Sequence, residues 1–512
     1  MSNKRFWSDL RRIGWIDLSF RLSLFSLIFF VTLMNLFNAG VVMGQNFKSW
    51  AVDESLASKK DEIMTAMKQG NVTPSNRTEW NAFFDKYYFA RWTVEGNMSF
   101  VQNYVRDLII RDLKESTGNG RVFFLSKSLE TLTKMANDKS LNPAARYNAI
   151  LAIGQLTSKE AAGTDPPVFY EDALKQLIAI HDNNSTPEYL RVGALIGILR
   201  HAQAGISNDD YKNNKVPAIF IKTISTNSPV AEQDANEREK LDWVRIRAFD
   251  GLAALKVVNQ NVITVVKDII KSDLESYEIR CRAVRLMGEL NLQSDADKIK
   301  QSEFTQVSNL LISFAKSYCD WEISKIDTMI NKAFPAGQSD GINSAEFNRS
   351  RMSRMDSSVT GVMGTGEEIT EPPFASLPPE VQREVMVIVQ RVKSNALYFI
   401  LFGMRGGRLS GPTSTGVITA FESGDPNFSK LNEATKAVAT LIEILDKGKP
   451  ETTTATRSTT TMARPTTGTT TPAVRGQCKV NFTIIREALK NCSDKLTEIT
   501  TGKKVEPEKP KT

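Results

Sequence analysis

His181, His201, Cys281, Cys319, Cys478 and Cys492 are the chain's whole stock of histidine and cysteine. A helix-borne metal site needs two histidines four residues apart with a carboxylate beside them, because those positions share one helix face. Neither histidine has such a neighbour, and each stands close after a stretch that reads as helix, so both are expected at the surface. The cysteines show no CxxC spacing, which sets aside a zinc site and a thioredoxin-like pair. Cys478 and Cys492 invite a bridge, but "CKVNFTIIREALKNC" reads as mostly helical. That much helix spans about 21 Å, against the ~7 Å between Cα atoms that a disulfide tolerates. Cys281 and Cys319 could be joined if their helices pack side by side; four buried or free thiols are the simpler expectation. In "YCDWE" the acids around Cys319 raise the thiol pKa rather than activate it.

"GMRGGRLSGPTSTG" is glycine-rich, but no lysine follows a glycine there and no strand precedes it, so it reads as a surface loop (404–417) and not a phosphate cradle. No GxSxG elbow or Cys/His arrangement stands out. The expectation is a protein that is not an enzyme, with no catalytic residue, cofactor or metal.

What the chain repeats is a helix. "ARYNAILAIGQL", "LRVGALIGILR", "VRIRAFDGLAAL" and "IRCRAVRLMGEL" align on Arg146, Arg191, Arg245 and Arg280. Three residues on stand Ala149, Ala194, Ala248 and Ala283; eight on stand Gly154, Leu199, Ala253 and Gly288. Small residues at one place on a helix let a neighbouring backbone approach, and apolar residues such as Ile150, Ile153 and Leu156, or Val284, Met287 and Leu290, form the buried stripe. The intervals of 45, 54 and 35 residues fit helical hairpins with variable loops. First helices are read in "VFFLSKSLETLTKMAND", "FYEDALKQLIAIHDN" and "NVITVVKDIIKSD"; before the third copy, "NNKVPAIFIKTISTNSPVAEQDANEREKLD" reads as a surface excursion.

Over roughly residues 122–318 this pattern resembles the second helix of HEAT-type repeats, including the HEAT-like group first noticed in phycobilin lyases. Leu199 and the uneven spacing depart from the pattern. The resemblance implies an all-α fold, an α-solenoid whose helix pairs stack into a right-handed superhelix with the second helices on its concave face. It also implies that the four arginines form a ladder with acids of adjoining repeats, for which Glu188, Asp242 and Glu278 are local candidates.

The ends carry different information. Lys4, Arg5, Arg11, Arg12 and Arg21, against Asp9 and Asp17, precede an uncharged run from Leu22 to Gln45. Basic residues stay on the cytoplasmic side, so the chain beyond the apolar run is expected outside, in the periplasm or cell envelope. The run reads either as a signal peptide cut before Gln45 or as an uncleaved anchor that holds the chain to the membrane through residues 22–44. The net charge of +7 is partly this leader, and the remainder is too diffuse for nucleic acid. "EWNAFFDKYYFARW" sets Trp80, Phe83, Phe84, Tyr87 and Tyr88 on one broad helical face, read as a core that caps the repeats.

Residues 451–476 hold twelve threonines and two prolines with no apolar period, a spacer that cannot form a core. Beyond it Phe482, Ile485, Leu489, Cys492, Leu496 and Ile499 alternate three and four apart, a heptad seam on a tether. Such a stripe must fold back on its own chain, pair with a second copy through 481–500, or dock into another protein. The chain thus reads as a basic segment (1–21), an apolar segment (22–44), an N-terminal helical cap (46–121), HEAT-like repeats (122–332), a flexible insertion (333–378), a C-terminal helical region (379–450), the Thr-rich linker (451–476) and an amphipathic helix with a charged tail (477–512). The functional expectation is an exported or membrane-anchored scaffold for an unidentified protein partner. A structural envelope component, or a lyase-like, cofactor-handling repeat protein, are the alternatives.

Overall fold

The computed structural model describes residues 47–73, 75–163, 165–226, 234–290, 292, 299–333, 396–406, 415–447 and 482–504. The basic and apolar segments (1–21 and 22–44), the insertion (333–378) apart from Ala333, the Thr-rich linker (451–476), Cys478 and most of the glycine-rich loop lie outside these residues. Among those described the chain is all-α; Thr157–Lys159 and Val168–Phe169 are the only strands. No helix among them is long and apolar enough to cross a membrane. The chain divides into two compact units, Met1–Ser158 and Lys159–Thr512, with the division falling inside the stretch of repeats.

Unit 1 holds α1 (Lys60–Gln69), α2 (Arg77–Phe83), α3 (Val101–Arg106), α4 (Gly118–Asn137) and α5 (Pro143–Ile153). The aromatic run is buried throughout, with Phe89 and Trp92 added to the five rings expected. It does not stay one regular helix: α2 widens into a π-helical turn over Phe84–Tyr88, where large rings crowd in sequence. Phe84 packs on Phe124 of α4 at 4.8 Å between ring centroids. The Tyr88 hydroxyl donates 2.6 Å to a carboxylate oxygen of buried Asp112, so this ring enters the core with its polar atom satisfied. At Gly120 a Cβ would stand 2.4 Å from the Met67 carbonyl oxygen, so α4 crosses α1 where only glycine fits. The α4/α5 hairpin turns through Asn142, whose side chain caps the Ala144 amide, with Pro143 opening α5.

Unit 2 begins with three hairpins: α6 (Glu171–Asp182) with α7 (Glu188–Ala204), α8 (Val216–Thr226) with α9 (Ala235–Leu255), and α10 (Gln260–Lys271) with α11 (Tyr277–Glu289). The residues read as an excursion before Arg245 therefore hold a helix. Val216, Ile219, Phe220, Thr223 and Ile224 supply the stripe of α8, spaced for a helix and buried. Asp234, Asn259 and Ser276 cap α9, α10 and α11 with their side chains. The second helices α7, α9 and α11 pack in series, and the first helices α8 and α10 form a second row that continues onto α12 (Gln301–Ala333).

Three more helices of this unit are found among the described residues: α13 (Ala396–Arg405), α14 (Pro426–Lys447) and α15 (Phe482–Thr501). α13 lies against α11, while α15 lies against α12 and α14. The α11–α13 contact depends on two glycines. A Cβ at Gly288 would sit 2.2 Å from the Phe402 carbonyl oxygen, and one at Gly403 would sit 2.4 Å from that of Val284. Alanine at Gly288 would gain about 1 kcal/mol of helix propensity, yet the clash must move a backbone. Gly288→Ala is therefore expected to lower stability by ~1–3 kcal/mol in a denaturant melt. Gly424→Ala, where a Cβ would meet nothing within 4 Å, should leave the melt unchanged.

Candidate functional site

Ala149, Ala194, Ala248 and Ala283 are fully buried, at 0% exposure, each in the second helix of a hairpin. Three of the four arginines that stand three residues before them occupy one recurring slot, at the C-terminal end of the helix that precedes their own. Arg146 Nε donates 3.0 Å to the Ala136 carbonyl of α4, Arg245 Nε 3.1 Å to Ile224 of α8, and Arg280 Nε 2.9 Å to Ile270 of α10. The last carbonyls of a helix lack intrahelical donors and carry the negative end of its dipole, so a guanidinium there satisfies both. Arg191 departs from this: its Nε is buried with no hydrogen-bond partner. The same copy carries Leu199 in place of a small residue, itself buried.

Of the acids implied by the resemblance, Asp242 pairs with its arginine, whereas Glu188 and Glu278 do not. Arg245, with 0% of its side chain exposed, donates from both terminal nitrogens to Glu275 at 2.6 and 2.5 Å, and to Asp242 at 3.3 Å. Glu275, 2% exposed, sits in the turn before α11, beside the capping Ser276, whose hydroxyl donates 3.1 Å to Asp242. One guanidinium thus joins the end of α8, its own helix α9 and the turn of the next hairpin. Burial pushes the Asp242 carboxyl above its ordinary range, against the pull of Arg245. Glu188 and Glu278, by contrast, are exposed in the first turns of α7 and α11, where a carboxylate suits the helix dipole. Arg280 takes rings where Arg245 takes a carboxylate, stacking over Phe314 at 4.8 Å and Tyr277 at 5.1 Å. Its acid, Asp273, is 3.7 Å away and 98% exposed. Sequence reasoning missed Glu275; an acid placed directly before a serine N-cap was the available signal.

A second set of arginines lies on the partly exposed side of the second helices. Arg247 of α9 stacks over Trp243 at 5.1 Å and pairs with Asp250 at 3.3 Å. On α11, Arg282 and Arg285 both lie over Phe399 of α13, at 5.1 and 5.0 Å, and Arg285 pairs with Glu289 at 2.7 Å. Among the described residues Arg282 has no such acid, and its Nε is buried without a hydrogen bond. Burial lowers its pKa, with nearby Arg285 and Arg247 acting in the same direction and Asp250 and Glu278 opposing. Guanidiniums stacked on rings keep a planar edge of donors for carboxylate or phosphate oxygens, and arginine with aromatic side chains is the composition of protein-binding centres. Arg282 and Arg285 were not singled out from the sequence, because the ring that gathers them, Phe399, belongs to another helix.

The histidines are not surface residues. His201 is 3% exposed inside α7, its ring 4.8 Å from Phe169, and burial followed by Arg200 holds its pKa down at about 4. His181 closes the last turn of α6, mostly buried, with its pKa lowered by burial against the pull of Asp182. The pattern hid this because histidine is amphipathic, and the α6–α7 packing, not polarity, set its depth.

The tethered seam is spent within the chain. Leu489, Cys492, Leu496 and Ile499 are buried and Ile485 is half-buried, on a helix that packs against α12 and α14; the side chain of Phe482 lies outside those described. Of the three fates open to that stripe, folding back is the arrangement present. Self-association through 481–500 would require α15 to leave this seat. Compared with known protein families, curated proteins and solved structures, the chain matches none.

Proposed function

We propose that this chain is an interaction scaffold of HEAT-like repeats, exported or held at the membrane by residues 22–44, and that a protein partner docks on the stacked arginines of its second helices. The observation that carries the reading is Arg282, a half-buried guanidinium over Phe399 with an unbonded buried Nε and, among the described residues, no acid in ion-pair contact. A desolvated donor without a partner is costly in the free protein and is relieved when another chain supplies an oxygen. The series of second helices presents this group beside Arg285 of the same helix and Arg247 and Trp243 of the neighbouring α9, which supports recognition by a broad face rather than a pocket. HEAT-like α-solenoids use their concave, second-helix face in this manner, and the serial packing of α7, α9 and α11 supports that comparison. The arginines of the buried slots then serve architecture.

The test is site-specific. A photo-crosslinking amino acid in place of Trp243, in the native host, should give one discrete adduct. Arg282→Ala with Arg285→Ala should abolish that adduct and leave the far-ultraviolet spectrum intact. A chain that gives no adduct from this position, or the same adduct without the two arginines, does not use this face.

A further inference from the structure

α12 and α15 run antiparallel, in a register fixed by two polar contacts. Arg486 donates to both carboxylate oxygens of Asp327 at 2.6 and 3.3 Å, and Ser493 Oγ donates 2.5 Å to Asp320. From the first contact to the second the numbering rises by seven on α15 and falls by seven on α12, two turns of each helix. One residue from the second contact on both helices stand Cys319 and Cys492, both buried and close enough for each thiol to act on the other. Small side chains, Ala315 and Cys319 on α12 and Ala488, Cys492 and Ser493 on α15, occupy buried positions along the two helices and let backbones approach. Packing elsewhere in the unit therefore holds two sulfurs together that are 173 positions apart in the chain.

We propose that Cys319 and Cys492 are a disulfide-forming pair that fastens α15 to α12 covalently when the chain meets an oxidising pool of low-molecular-weight disulfide. A thiolate of one cysteine attacks a sulfur of the external disulfide and expels one thiolate. The second cysteine then attacks the protein sulfur of the mixed disulfide and expels the other. The two protein thiols lose two protons and two electrons, and one external disulfide becomes two thiols. Contact with Cys492 and burial push the Cys319 thiol well above its ordinary range, so the closed helix pair reacts slowly and exchange proceeds as α15 lifts. Once formed, the bond closes residues 319–492 into a covalent ring, and a cut anywhere inside that ring no longer frees α15. The Thr-rich tract, 451–476, lies within it.

The full chain is refolded from urea in a mixture of oxidised and reduced glutathione, blocked with N-ethylmaleimide, and digested without reductant. The expected product is a peptide pair joining Cys319 and Cys492, with a melting temperature roughly 5–10 °C above that of the reduced chain. Cys492→Ser should lose both the pair and the shift, whereas Cys478→Ser should keep both. Recovery of Cys492 joined to Cys478, or of Cys319 and Cys492 as separate maleimide adducts, overturns the assignment. A protease nick within 451–476 gives an independent reading: α15 should separate from unit 2 on a denaturing gel only after reduction, and its release without reductant counts against the bond.

Discussion

Glu275→Ala will destabilise unit 2 by about 3–5 kcal/mol, because it leaves the Arg245 guanidinium charged and wholly buried with half of its donors unmatched. Asp242, at 3.3 Å and partly solvated, cannot replace two short bonds from a carboxylate in the turn. The sign of a paired change separates this from simple loss of contact. Replacing both partners by apolar residues of similar volume, Arg245→Met with Glu275→Leu, removes the desolvated charges together and is expected to cost far less than the single change, or to stabilise. Urea denaturation of the two variants measures the difference. If the single substitution costs under about 1 kcal/mol, water reaches the guanidinium and the buried-charge argument fails.

His201 should give the protein an acid limb of its own. Its pKa in the folded chain is depressed to about 4 by burial, against an ordinary 6.5 once unfolded. Above 6.5 both states hold a neutral ring, and the residue contributes no pH dependence. As pH falls through 6.5 the unfolded chain takes up a proton that the folded chain refuses, so stability declines until about pH 4. The total is about 3 kcal/mol for a shift of this size. Carboxylates and His181 add their own slopes, so the measurement is a difference: unfolding free energies of the parent and of His201→Leu, followed from neutral to acid pH. On the acid side the parent should lose about that amount of stability relative to the variant; curves that stay parallel would mean that His201 titrates freely in the folded state.

Helical periodicity and turn residues are local, so the all-α character, the first helices α4, α6 and α10, and the second helices α5, α7, α9 and α11 were legible in the sequence, as was the buried face marked by Ala149, Ala194, Ala248 and Ala283. The apolar seam of α15 was legible for the same reason: a stripe spaced three and four apart must be buried somewhere. Which surface buries it was not, since no local pattern links α15 to α12, which lies far before it in the sequence. α8 was lost among polar flanks, although its spacing was there to read.

Partnership was decided by tertiary structure alone. Arg245 could be predicted to need an acid and Asp242 stands three residues before it, but Glu275 lies 30 residues on, and only the packing of the α10–α11 turn against α9 brings it to the guanidinium. The meeting of Arg282 with Phe399, of His201 with Phe169, and of Cys319 with Cys492 joins residues from elements that no local pattern connects. Periodicity records which side of a helix avoids water; it carries no information on which other helix removes that water, because many apolar faces would remove it equally well and only the packing of the whole unit selects one.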